Sequence, residues 1–119
     1  MRNYKNLEVW KKSMDLTVAI YSLTDIYPKE EIYGLTSQIR RAAVSIPSNI
    51  AEGKLRGTDS EFKRYLFISF ASGGELETQL EISKRLPKTN ELDYSRVDSL
   101  LEEVMKMLNS LISKLGASS

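Results

Sequence analysis

Neither cysteine nor histidine occurs among the 119 residues. Their absence excludes disulfides, thiol nucleophiles and cysteine–histidine zinc sites, and it removes the imidazole that most general-base and metal chemistry uses. A glycine-rich phosphate loop is missing as well, so no cofactor is expected and the chain reads as a non-enzyme. Charge of one sign is also lacking: 17 Lys+Arg against 16 Asp+Glu leave a formal +1. A nearly neutral chain is not a polycation that coats nucleic acid, so any such role must rest on a local patch. No apolar run approaches the roughly 18 residues of a membrane span, and the opening Met1–Trp10 has no uninterrupted apolar stretch of the secretory type. The expectation is a cytoplasmic protein without a membrane partner.

What remains fits one domain over residues 1–119. Hydrophobic residues make up 41% and charged residues 28%, enough apolar side chain to fold without metal or disulfide staples and too little charge for wholesale disorder. Four segments carry helical periodicity. In the first, Leu7 to Tyr27, the residues Leu7, Trp10, Met14, Thr17, Val18, Tyr21 and Leu23 or Thr24 recur at threes and fours; Asn6 is the expected cap and Pro28 the stop. The second, Leu35 to Gly53, places Leu35, Ile39, Ala42, Ala43, Ile46 and Ile50 on one stripe. Pro47 interrupts its hydrogen bonding, not its phase, which predicts one helix kinked at Pro47 in place of two helices. Gly53 and Gly57 are the expected stop, with Gly57 suited to a left-handed cap.

Thr58-Asp59-Ser60-Glu61 has the spacing of a capping box and opens the third segment, which runs to about Leu86 before Pro87. Its Tyr65–Ala71 run resembles a buried strand, but the cap before it and the helix formers Glu75–Glu81 after it decide for helix. The last segment, Tyr94 to Leu115, puts Val97, Leu100, Leu101, Val104, Leu108, Leu111, Ile112 and Leu115 on one face; Gly116 ends it, and Ala117–Ser119 is expected to fray. The predicted fold is all-α, an antiparallel up-and-down four-helix bundle.

The third helix is apolar on two faces. Phe62, Leu66, Phe70, Gly73, Leu76 and Leu80 form a core stripe, while Phe67, Ile68, Ala71 and Ile82 lie round the other side. Side chains of that size left in water forgo on the order of 1.5–3 kcal/mol each. With Val44 and Pro47 off the core stripe of the second helix, they are the candidate interface of a homo-oligomer. Gly73 and Gly74 inside a helix cost about 1 kcal/mol apiece relative to alanine, which points to close helix approach within the bundle or between subunits. Glu77 falls on the core side, where it needs a partner among Arg40, Arg41, Asn49 or a backbone group freed by Pro47. Glu77 and Glu81, four apart, form a carboxylate pair, but di-iron bundles use Glu-x-x-His and histidine is absent.

Charge is uneven along the chain. Residues 1–56 hold nine basic and six acidic side chains, and residues 57–119 eight and ten. Arg40, Arg41, Lys54 and Arg56 on the second helix and its exit, with Lys63 and Arg64 on the third, are the candidate phosphate contacts for RNA or DNA. A solvated face, its arginines paired with Glu52 or Glu61, accounts for the same residues.

The run Tyr33-Gly34-Leu35-Thr36-Ser37-Gln38-Ile39-Arg40-Arg41-Ala42-Ala43-Val44-Ser45-Ile46-Pro47-Ser48-Asn49-Ile50-Ala51-Glu52-Gly53, with Leu7-Glu8-Val9-Trp10 and Gly74-Glu75-Leu76-Glu77-Thr78-Gln79-Leu80, resembles the four-helix-bundle family named for proteins encoded in 23S rRNA intervening sequences. The resemblance covers essentially the whole chain. It implies an antiparallel four-helix bundle assembling into a ring-like homopentamer. It further implies kinship with the accessory variability protein of diversity-generating retroelements, a basic pentameric bundle that binds nucleic acid and a reverse transcriptase. The expected function is thus a nucleic-acid-associated accessory or adaptor, or alternatively a structural module that recruits another protein.

Overall fold

A computed structural model describes residues 3–116, in which four helices follow one another: α1 (Glu8–Thr24), α2 (Leu35–Leu55), α3 (Asp59–Arg85) and α4 (Ser95–Gly116). Short 3-10 turns at Tyr4–Asn6 and Lys29–Glu31 precede α1 and α2. The fraying expected of residues 117–119 lies outside the described residues. Cross-helix contacts give the topology directly. Thr17 meets Ala43 and Thr24 meets Arg40; Ser45 meets Ser72 and Gly53 meets Tyr65; Lys84 meets Asp98 and Gly73 meets Met105; Lys12 meets Glu103 and Tyr27 meets Tyr94. In each pair the numbers run in opposite directions, so every neighbour is antiparallel and α4 closes back on α1. The result is an up-and-down bundle of 47 × 23 × 20 Å.

The core is filled by Leu16 and Ile20 of α1, Ile39, Ile46 and Ile50 of α2, Leu66, Leu76 and Leu80 of α3, and Val104 and Leu108 of α4. For α2, α3 and α4 these are the stripes the periodicity predicts. α1 is different. Its buried set is Val9, Ser13, Leu16, Ala19, Ile20, Leu23 and Thr24; of the predicted stripe the Leu23–Thr24 end is buried, whereas Met14, Val18 and Tyr21 are exposed. Two apolar sets interleave on this helix at the same spacing, and periodicity alone cannot choose between them. The aliphatic Leu16 and Ile20 face the core together with Leu23 and leave Met14, Val18 and Tyr21 outside.

α2 runs unbroken across Pro47. Proline has no N–H, so the Ala43 carbonyl loses its helical donor. The Thr17 hydroxyl of α1, 2.8 Å from Ser13 O, lies 3.3 Å from that carbonyl and serves both. Nearby, the buried Ser69 hydroxyl donates to Ile46 O at 3.0 Å, and the Asn49 amide donates to Ser45 O at 2.8 Å. Pro47 is itself buried within the chain, so it is not available to a second copy, in contrast to its expected place at an interface.

Glycines mark where helices touch. Gly57 sits at φ 92° and ends α2 as expected. Gly53 is no stop: it lies inside α2, and a Cβ there would come 2.6 Å from Tyr65 Cβ. It lets α2 and α3 approach closely. Gly73 makes room for the Met105 side chain, while a Cβ on Gly74 would meet nothing within 4 Å. At the helix starts, the Thr58 hydroxyl accepts from Glu61 N at 3.2 Å as the capping box requires, although the Glu61 carboxylate turns to Arg64. Asn6 does not cap α1; it ends the preceding 3-10 turn, which Asn3 caps.

Candidate functional site

The six basic candidates do not form one patch. Arg40 and Arg41 lie near the start of α2, and Arg56 follows sixteen residues later, about 24 Å along the helix at 1.5 Å per residue. Lys54, Arg56, Lys63 and Arg64 gather where α2 hands over to α3, and most are engaged there. The Arg56 guanidinium donates to Glu52 at 2.8 Å and to the Tyr65 hydroxyl at 2.7 Å, and lies 3.8 Å from Glu61. Arg64 donates to Glu61 at 3.0 Å and stacks over the Tyr65 ring. Each pairing favours the charged form: Arg56 holds the Glu52 carboxyl below its ordinary range, and Arg64 does the same for Glu61. Lys54 lies over the Phe62 ring, and Lys63 reaches the end of α4 at Gly116. This end is a network of opposite charges.

The other end differs. The Arg40 guanidinium donates through Nε to Thr24 Oγ1 at 2.8 Å and through Nη2 to Asp25 at 2.9 Å, and it stacks on Tyr21 at 4.6 Å from the ring centroid. Arg41 has no hydrogen bond or ion pair among the described residues. Both line a groove of about 520 Å³ between α1 and α2, whose other walls are Tyr21, Ile32, Thr36, Ser37, Val44 and Ser45. Val44, expected at an interface, is therefore a wall of this groove.

Glu77 is exposed, contrary to its expected core position. The step from the buried Leu76 turns its carboxylate out to a groove of about 530 Å³ between α3 and α4, which it lines with Glu81, Lys84, Asp98 and Glu102. It pairs with none of the partners proposed for it. In that groove Lys84 bridges Asp98 at 2.8 Å and Glu81 at 3.5 Å. Asp98 keeps the Lys84 ammonium protonated to higher pH than usual. Among the described residues no cluster has the make-up of a metal centre, and no helix is long and apolar enough to cross a membrane.

Two apolar strips stand outside. On α3, Phe67 (52% exposed), Ile68, Ala71 and Ile82 are uncovered by the chain's own helices, with the open Gly74 between them. Beside α1, Val18 (64%) and Ile26 (66%) flank a second groove shared with Asp93, Arg96 and Val97 of the α4 side. The α3 strip is the expected one; the α1 strip was hidden by the mistaken choice of core face.

Residues 5–110 match the model of the 23S rRNA-intervening sequence protein family. The chain belongs to this family. The chain is also similar to a solved crystal structure, that of a protein of unknown function from the S23 ribosomal protein family of Bacteroides thetaiotaomicron, at 25% identity. It superposes with a TM-score of 0.71 over 90% of this chain and 97% of that one. None of the curated proteins compared with the chain matches it. Against this family background, the central run that carries the sequence resemblance builds α2, including Thr36, Ser37, Arg40, Arg41 and Val44 of the α1–α2 groove.

Proposed function

We propose that this family member is a non-enzymatic, self-assembling bundle that serves as a scaffold for a partner. The carrying observation is the pair of uncovered apolar strips on α1 and α3, helices that occupy diagonal corners of the bundle. Two different strips on opposite sides favour head-to-tail contact, α3 of one copy against the α1–α4 groove of the next. A contact of that kind closes into a ring when its rotation allows. The sequence resemblance suggests five subunits. Burying Phe67, Ile68, Ile82, Val18 and Ile26 at about 1.5–3 kcal/mol each supplies the driving force.

Light scattering on a sizing column tests this. The unaltered chain should elute as a multiple of 13.5 kDa, and Val18→Asp and Phe67→Asp should each elute as single copies with unchanged helix content. Mixed in equal amounts, the two variants retain one intact strip each and should form a 1:1 pair. A monomeric parent chain refutes self-assembly; a Val18→Asp variant that still assembles refutes the head-to-tail contact.

A second reading, contact with RNA or DNA, is favoured by Arg41, whose guanidinium is uncommitted. One phosphate contact per copy, repeated around a ring, would gain by multiplicity. The ion-paired Arg56 and Arg64 contribute little to it. A different scaffold client, another protein, is the alternative that a nuclease-resistant stoichiometric complex would support.

A further inference from the structure

We infer that the α1–α2 groove is a binding site for a phosphomonoester carried on a compact apolar or planar body. The inference does not depend on assembly. Three observations converge there. Thr36 is only 4% exposed, it lines the groove, and its hydroxyl, which no group of the chain meets, is not sealed from solvent. A nearly buried hydroxyl that no chain group uses can donate to a ligand in the groove without breaking a bond within the fold. Thr36 and Ser37 also occupy the first turn of α2, a helix of 21 residues. Their backbone N–H groups have no helical acceptor, since the first regular bond is Gln38 N to Gly34 O at 3.0 Å. Glu31 satisfies only Leu35 N, at 3.2 Å, and does not line the groove. A long helix's amino end with free N–H groups favours an anion.

Two guanidiniums complete the anion's surroundings. Arg40 is fixed in orientation by Thr24, Asp25 and the Tyr21 ring. With Nε and Nη2 engaged, its Nη1 retains donors. Arg41 is free to close over a ligand from the groove's edge. No carboxylate lines the groove. Arg40 shares its charge with Asp25, so the uncommitted cation is Arg41; with the helix amino end, the Arg40 Nη1 donors and the hydroxyls, it offers partners for the extra charge and oxygen that a monoester has and a diester lacks. The remaining walls, Ile32, Val44 and the ring of Tyr21, are apolar and partly exposed, and the volume is within the usual range for small-molecule sites. The walls cover a small body beside the phosphate, which inorganic phosphate lacks.

Phenyl phosphate titrated into the full chain at low ionic strength, followed by backbone amide NMR, tests the site. Expected are saturable shifts centred on Thr36, Ser37 and Arg41, with affinity roughly tenfold above that for inorganic phosphate or for methyl phenyl phosphate, the diester. Arg41→Ala should weaken phenyl phosphate binding by about tenfold or more, and the near-isosteric Thr36→Val by several-fold, with the amide spectrum elsewhere unchanged. Absence of saturation by about 10 mM overturns the proposal, as does equal binding by Arg41→Ala. Competition then locates the phosphate's source. Displacement by a 5′-phosphorylated oligoribonucleotide and not by its unphosphorylated twin supports a nucleic-acid end, and displacement by a sugar phosphate alone supports a small metabolite.

Discussion

Replacing Gly53 with alanine should destabilise the bundle, against the rule for helix interiors. Alanine is favoured over glycine inside a helix by about 1 kcal/mol, and Gly53 adopts no left-handed conformation, so the intrinsic effect is a gain. The added Cβ, however, would lie 2.6 Å from Tyr65 Cβ and 3.3 Å from the Phe62 ring. A Cβ is attached to the backbone and cannot swing aside as a side-chain tip can, so α2 and α3 must separate by roughly 1 Å. Overpacking of this kind costs about 1–3 kcal/mol, and more where two helices must shift together. Set against the helix gain, the net expectation is a loss of up to about 2 kcal/mol. With a urea slope near 1.5 kcal/mol/M, the unfolding midpoint should fall, by up to roughly 1 M. Gly74→Ala is the internal control, because its Cβ enters open space. At concentrations low enough for single copies it should raise the midpoint by about 0.6 M. Equal responses at the two positions would refute the claim that contact geometry, and not helix propensity, places these glycines.

The proline compensation predicts non-additivity: Pro47→Ala restores the donor to Ala43 O and should stabilise by about 1–3 kcal/mol, while Thr17→Val should cost about 1 kcal/mol in the parent chain and less beside Pro47→Ala, measured as a double-mutant cycle. A pH effect follows from the bundle's far end, where the buried Tyr27 hydroxyl donates to Tyr94 Oη at 3.3 Å and Tyr94 in turn donates to Thr89 O at 2.8 Å. Burial, the larger cause, raises the Tyr27 pKa well above its ordinary value. A raised folded-state pKa gives stability that is complete below the unfolded value near 10 and is lost as pH climbs beyond it, by up to about 1.4 kcal/mol per unit. Tyr27→Phe should flatten that alkaline slope in urea unfolding measured at several pH values.

The positions of α2, α3 and α4 were legible because their apolar stripes are unambiguous and their ends carry Gly57, Thr58 and Pro87. The outward Phe67 and Ile68 were legible for the same reason: they break the expected polar face. The first part of α1 was misread because Met14–Val18–Tyr21 and Leu16–Ile20 obey similar spacings, and only the packing of the whole bundle, which buries Leu16 and Ile20 completely, separates them. The basic residues were readable as types but not as a site. Which arginine is free depends on Asp25, Glu52 and Glu61, carboxylates brought into reach by turns and neighbouring helices. Thr36 gave no signal in the chain, since its significance lies in its place on the groove wall.

The link between α2 and α3 is the shortest among the described residues, Arg56–Thr58, and it joins helices of 21 and 27 residues. Contacts between consecutive helices need little chain entropy to form, and only the α4–α1 seam brings distant parts of the sequence together. Helical bundles wired this way fold in microseconds to milliseconds. A newly made subunit would thus be complete long before it meets another at cellular dilution, and encounter between finished copies, set by concentration, becomes the slow event in building any larger particle from this chain.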